Sequence, residues 1–313
     1  SVSFGSHHRN ELPFSSLVAK HCRTHHRVIE FSPEVILHHF DDTIAFLSKP
    51  IGDPLTVPNA LVFREAAQEV GVMLNGEGGD PCFGGPKNLP MVLAEWLGDG
   101  YNQEPEGQYF REQSYLRAHH KCYDDLPDML SPELKDLLAD QSLEKYLSPY
   151  LNDPSQLSFV NKLMAINLKF KGGHHILPKV DQCSASFGIL PRSPLFDRQV
   201  VELAFSTPAQ WKLKGTVEKY LLKQAVADLL PSVIIERPKS GMLVPVEAWF
   251  QDPLLSQAKE RLLDGLKEYH FFNPTYLERL LNGNLPGLRP RRGTKIWLLL
   301  TLESWLRTIL SSS

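Results

Sequence analysis

The sequence predicts an α/β protein in which a parallel sheet fills the first third of the chain and a mostly helical region follows. Three observations carry this expectation. Short apolar segments at Ser1 to Phe4, Arg27 to Phe31 and Val72 to Leu74 alternate with helix-like stretches, and that alternation makes the helices crossovers between parallel strands. A glycine-rich acidic segment follows the third apolar run directly, at the place where open parallel sheets bind ligands, beyond the carboxyl ends of their strands. From about Leu89 onward, helical periodicity replaces strand signals, so the chain divides into an incomplete α/β part over residues 1–97 and a mostly helical part over 98–313.

Each element has a local reason. Ser1 to Phe4 has the character of a buried strand entered with no turn or helix before it, which is the expected start of a fragment. A helix is expected from about Phe14 to His21. Ser32-Pro33-Glu34 opens another, because serine caps free amides, proline fits the first turn and glutamate suits its positive end. That helix is expected to reach about Leu47. Pro50 to Pro58 interrupts the pattern, and Asn59 is expected to cap a helix running to about Val70. The stretch from about Gly98 to Pro127 is polar, aromatic and turn-rich, suited to linking the two parts or covering a cleft. Helices are then expected over Leu157 to Leu168, Gln199 to Phe205, Glu218 to Leu229 and Lys295 to Leu310. There is no internal repeat.

Composition narrows the functional classes. A net charge of -3 with mixed signs gives no electrostatic reason for nucleic acid or an anionic membrane to be the principal partner. A small molecule suits it better. The four cysteines form no C-x-x-C pair, so neither zinc nor a disulfide framework is suggested, and reduced thiols in a cytoplasm are expected. No apolar run is long enough to span a bilayer, and no leader pattern opens the chain. Histidines occur in five adjacent pairs, including His174-His175, but adjacent side chains rarely converge on one metal, so packing or solvation is the preferred role.

The chemistry concentrates in Leu74-Asn75-Gly76-Glu77-Gly78-Gly79-Asp80, followed by Phe83-Gly84-Gly85. Glycines let backbone amides approach phosphate oxygens, and an aspartate can hold magnesium bridging them. The segment resembles the Ser-Gly-Glu-Gly-x-Asp-Glu-x-Phe-Gly-Gly motif of the asparagine synthetase family, which is shared with beta-lactam synthetases. Asn75 stands in place of the family serine and Pro81 in place of an acidic residue. The resemblance implies that Glu77 is the active-site carboxylate handling the proton of the incoming nitrogen, that Asp80 coordinates magnesium, and that Asn75, Gly76 and Gly78 line the ATP and substrate site.

Further matches follow in order. Val180 to Asp197, with Arg192, Pro194 and Asp197, resembles the family's Gly-Leu-Glu-x-Arg-x-Pro-Phe-Leu-Asp stretch, with Leu190 replacing the family acid. Read alone, Arg192 and Asp197 suggest a structural ion pair or cap. The match implies a supporting place for Arg192 beside the site and puts Lys179 near a cationic position facing pyrophosphate or a carboxylate. Lys214-Gly215-Thr216-Val217-Glu218-Lys219-Tyr220-Leu221-Leu222-Lys223 is similar to the family segment that carries the catalytic lysine, so Lys219 is the implied cation against phosphate charge. A basic turn from Arg237 to Pro245 and a terminal packing helix, Ile296 to Leu306, complete the series. Val2 falls at a position lining the family's adenine pocket, although a strand valine serves equally as core.

The resemblance implies a sheet of the adenine-nucleotide alpha-hydrolase (PP-loop ATP pyrophosphatase) type. It implies an ATP- and magnesium-dependent ligase that activates a carboxylate, foremost aspartate, as an acyl-adenylate before attack by ammonia or an amine. The ammonia could come from a glutaminase domain upstream, and a homodimer is compatible with the sequence. The family's Ser-Gly-Gly-x-Asp-Ser phosphate loop precedes the strand corresponding to Ser1 to Phe4, so residues 1–313 alone are expected to be inactive. Two alternatives remain open at this stage: a synthetase acting on another carboxylate, and a noncatalytic remnant that binds or assembles.

Overall fold

The computed structural model describes residues 1–85, 109–119, 122–155, 158–237, 241, 243–251, 254–285 and 291–311. Among them, four short strands form two separate parallel pairs. Strand β1 (Val2–Ser3) lies beside β2 (Ile29–Glu30), with Val2 opposite Ile29. Strand β3 (Val72–Leu74) lies beside β4 (Leu190–Arg192), with Val72 opposite Leu190 and Leu74 opposite Arg192. The parallel direction is as expected, but one continuous sheet is not formed among the described residues. The β4 strand also falls where no strand was expected. Leu190-Pro191-Arg192 has no strand preference of its own; it is held extended by its neighbour, since Leu190 N donates to Gly71 O at 2.9 Å and Asn75 N to Arg192 O at 2.8 Å.

Helices fill most of the remainder, with several boundaries moved. Ser32 caps the Pro33–His38 helix by accepting from Val35 N, but the expected single helix to Leu47 breaks at His39, where Arg64 meets the imidazole at 3.0 Å. A second helix, Phe40–Ala45, then turns Phe40 and Ile44 into the core. The next helix spans Thr56–Ala66, so Asn59 lies inside it and caps nothing. Asp53 pre-empts it: its Oδ1 accepts from Leu55 N at 3.0 Å and its carbonyl from Thr56 N, closing the turn just ahead of the helix.

Helix Phe159–Ile166 continues as a π-helical segment, Asn167–Ile176, and then as the Leu177–Ala185 helix that feeds β4. The expected start of this run at Leu157 lies outside the described residues. Arg198–Ser206 forms as expected. The helix expected from Glu218 to Leu229 shortens to Tyr220–Ala225, with Lys219 in the turn before it.

The largest apolar cluster joins both ends of the chain: Phe4, Phe31 and Phe40 pack with Trp249 and Trp297, the last on the long Arg292–Ser311 helix. Val2, Ile29 and Met73 rest against the same cluster, so both strand pairs border one core. A smaller cluster of Cys82, Phe83, Val160, Met164 and Ala204 lies beneath the acidic loop. No helix among the described residues is long and apolar enough to cross a membrane.

Candidate active site

The site is assembled where β3 and β4 end. Helices Thr56–Ala66 and Leu177–Ala185 each lead through a few residues into β3 and β4, and the second packs against both the first and its own strand. A helix folded back on the strand it feeds runs antiparallel to it, so both helix N-termini lie at the carboxyl ends of the strands. The acidic loop emerges at that same end.

Loop conformation follows from composition. Gly78 has φ of 111°, and a side chain there would come within 2.9 Å of Leu195 Cβ, so only glycine lets the loop pass against Leu195 and Phe196. Helix Gly79–Phe83 then anchors the loop by burying Cys82 and Phe83. Pro81 occupies the first turn of this helix, where no amide hydrogen is required, so its replacement of the family acid leaves the turn intact. Gly85 closes onto Asp80: its N–H donates to the Asp80 carbonyl at 3.0 Å, and a Cβ would lie 2.6 Å from Asp80 Cβ.

The structure brings Asp80 and Lys219 together. Lys219 Nζ donates to Asp80 Oδ1 at 2.8 Å, across 139 residues of sequence. The lysine sits at φ of 53° immediately before helix Tyr220–Ala225, and its N–H donates to Gly84 O at 3.3 Å. A left-handed backbone costs a non-glycine residue roughly 1–2 kcal/mol. The Gly84 and Asp80 contacts hold Lys219 in that conformation. No described residue pairs with the carboxylate of Glu77, a half-buried residue of the same loop.

Asn75 ties the loop to β4. Its Oδ1 accepts from Glu77 N at 3.1 Å, and its Nδ2 donates to Ser193 Oγ at 2.7 Å. Gly76 is exposed, with open space where a side chain would go. Arg192 is exposed and donates to Pro191 O, while Asp197 caps helix Arg198–Ser206 through Gln199 N, so these two residues do not form the ion pair their spacing suggests. Val2 lies in the other strand pair, against the large core.

Lys179 pairs with Asp53. It is 1% exposed, and its ammonium donates to Asp53 Oδ2 at 2.7 Å, with His175 Nε2 at 3.7 Å from the same oxygen. Burial would raise the Asp53 carboxyl, but the charge and hydrogen bond of Lys179, then His175 and the Leu55 amide, hold it below the usual carboxylate range. Burial, against the pull of Asp53, pushes the His175 imidazole down, with Lys179, Lys171 and Lys49 adding to the effect. Arg237 of the basic turn is likewise paired, with Glu11 at 3.0 Å and over the Phe14 ring; Pro238, Lys239 and Ser240 lie outside the described residues.

Sequence reasoning missed Asp53, Ser193 and Lys212. Asp53-Pro54 ahead of a helix was a readable turn signal, whereas nothing local marks Ser193. Lys212 is fully buried under Gly84, its ammonium donates to Asn161 Oδ1, and desolvation brings its pKa down to about 8.

Parallel strand pairs with a glycine-rich, carboxylate-bearing loop at one strand's carboxyl end, met by a lysine from a later segment, define an α/β protein with its site at the strand ends. Residues 1–307 match the family model described as asparagine synthase, and the chain belongs to that family. It is 25% identical over 293 residues to Asparagine synthetase [glutamine-hydrolyzing] 1 of Bacillus subtilis, covering 86% of this chain and 44% of that protein. It is also 25% identical over 283 residues to a putative asparagine synthetase [glutamine-hydrolyzing] of Mycobacterium bovis, covering 84% and 43%. The chain thus spans less than half the length of these relatives.

Proposed function

We propose that this chain is the synthetase part of an ATP-dependent amide-forming ligase, with a sheet of the PP-loop type, that activates a carboxylate, foremost aspartate, as an acyl-adenylate. The observation that carries this reading is the 2.8 Å contact between Lys219 and Asp80 in the glycine-rich loop, within a chain of the asparagine synthase family. Among the described residues no three His, Cys, Asp or Glu side chains are grouped to cage a metal. That suits Mg2+, which commonly takes one or two carboxylates and completes its shell with ligand phosphates and water. Asp80 would hold it, and when bound it would offset phosphate charge.

The remaining roles belong to the chain. Lys219 would place its ammonium against charge developing on the departing pyrophosphate. Glu77, whose carboxylate has no partner among the described residues, would accept a proton from the attacking ammonia or amine. The relatives' names include glutamine hydrolysis, which supports glutamine as the nitrogen source, and their greater length supports a longer protein; a cytoplasmic homodimer is part of the proposal. Asn75 and Leu190, where the family has serine and an acid, favour as second reading a carboxylate other than aspartate.

Pyrophosphate release by the full-length polypeptide, with Mg-ATP, ammonia and a panel of acids, tests both. Release that requires aspartate and falls at least about a hundredfold in Glu77→Gln and Lys219→Ala is expected. Release driven by another acid alone would transfer the reading to that substrate. No release with any acid would reject a ligase.

A further inference from the structure

We infer that Asn75 and Ser193 form a positioning pair that sets the direction of Glu77; this rests on the proposed proton-accepting role of Glu77. The orientation of the Asn75 amide is fixed by chemistry. Glu77 N–H can only donate, so the atom facing it at 3.1 Å is Oδ1, and Nδ2 is thereby aimed at Ser193 Oγ, 2.7 Å away. The Asn75 N–H also donates to Arg192 O at 2.8 Å, extending the β3–β4 ladder by one residue. Asn75 is therefore bonded through its backbone to Arg192, the last residue of β4, and through its side chain to Ser193, just beyond it.

Glu77 has no other described restraint on its side. Gly76 before it meets no neighbouring atom at its Cβ position, and Gly78 after it sits at φ of 111°. Gly78 is pinned against Leu195 and Phe196 at the start of its helix, whereas Gly76 is open, so on the strand side the hydrogen bond to Asn75 is what fixes the Glu77 backbone, and hence the exit direction of its carboxylate. A serine in place of Asn75 could still accept from Glu77 N, as serine does in short local turns, but it is too short to reach Ser193 as well. The asparagine thus adds a cross-strand tie that a serine would lack, and Ser193 is its counterpart.

The test compares Asn75→Ala, Asn75→Ser, Asn75→Asp, Ser193→Ala and the double alanine variant in the full-length polypeptide. Amide exchange at Glu77 is read first. It should accelerate about five- to tenfold in Asn75→Ala and remain slow in Asn75→Asp, whose carboxylate accepts from both Glu77 N and the Ser193 hydroxyl. In pyrophosphate release, Asn75→Ala should lower kcat about tenfold or more with KM changed by less than about threefold, because it misplaces Glu77 without removing it, while Asn75→Ser and Ser193→Ala, which keep an acceptor for Glu77 N and lose only the cross-strand tie, should lower kcat less, again with little change in KM. Asn75→Asp should recover most of the loss. The double variant should be no slower than the slower single one. Unchanged exchange in Asn75→Ala, or single effects that multiply independently, would overturn the pairing. If the parent chain releases no pyrophosphate, the ligase reading fails, while the exchange measurement still decides whether Asn75 holds Glu77.

Discussion

At the scale of single residues, the acidic loop is a set of close approaches that tolerate little added volume. Gly85 is the tightest of these, because a methyl group there would meet Asp80 Cβ, Cγ and Cα, all within 2.9 Å. Gly85→Ala is therefore expected to push Asp80 away from Lys219, costing about 1–3 kcal/mol of stability through overpacking. Urea unfolding checks the first consequence and pyrophosphate release the second, and an alanine variant equal to the parent in both would refute the geometry. Lys212 tests a different residue-scale idea. Its folded pKa of about 8 lies below the ordinary lysine value, so the unfolded chain binds more protons between about pH 8 and 10.5, and the buried ammonium weighs against folding at neutral pH. Lys212→Met should then melt no lower than the parent at pH 7. The parent should gain stability relative to the variant as pH rises through that window, and an unchanged difference between pH 7 and 10 would show that Lys212 is not held in this way.

At the scale of elements, the long Arg292–Ser311 helix shows how a distant side chain can finish a local structure. Glu247 accepts from Gly293 N at 2.7 Å through Oε2 and from Thr294 N at 3.1 Å through Oε1, meeting two free amides and the positive end of the helix together. Gly293 is needed for this approach, since a Cβ would lie 2.4 Å from Val246 O. Glu247→Ala should lower stability by about 1–2 kcal/mol, with Glu247→Gln in between, and a melting curve for the alanine variant that overlays the parent would refute the cap. The helix itself was legible from its periodicity, but the cap was not, because Glu247 is 46 residues away. The same division holds at the site. The Val72–Leu74 strand and its glycine-rich loop could be read because three apolar residues run directly into turn chemistry. The β4 strand could not, because Leu190-Pro191-Arg192 is extended only through its pairing with β3. Lys219 was picked out by the pattern around it, yet its place before a helix, in a left-handed turn, is set by Gly84 and Asp80.

At the scale of the whole molecule, partly buried carboxylates tie the beginning of the chain to its later parts, and these ties set the response to acid. Asp41 meets Arg261 and Arg307 at 2.9 Å each and accepts from Ser304 Oγ at 2.6 Å; Asp53 meets Lys179 at 2.7 Å. Burial works to raise both carboxyls. For Asp41 the Ser304 hydrogen bond and the two arginines outweigh it, as Lys179 does for Asp53, so both folded pKa values lie below the ordinary range. A depressed carboxyl contributes stability that is fully present above its unfolded pKa, about 4, and is lost as pH falls through its folded value. His175 adds an earlier loss: its imidazole is also depressed, so below about pH 6.5 the unfolded chain takes up a proton that the folded chain refuses. Urea midpoints should therefore decline gently from about pH 6.5 and more steeply below about pH 4. His175→Gln should reduce the gentle part, to which the likewise depressed His39 also contributes, and Asp53→Asn should reduce the steep part. Because Lys179 is nearly inaccessible, removing its partner leaves an ammonium with no opposite charge, so at pH 7 Asp53→Asn should cost about 3–5 kcal/mol, while the apolar pair Asp53→Leu with Lys179→Met costs less than either single change. A midpoint that stays level from pH 7 to 3.5, or a double variant less stable than both singles, would mean that Asp53 and Lys179 do not act as a buried pair.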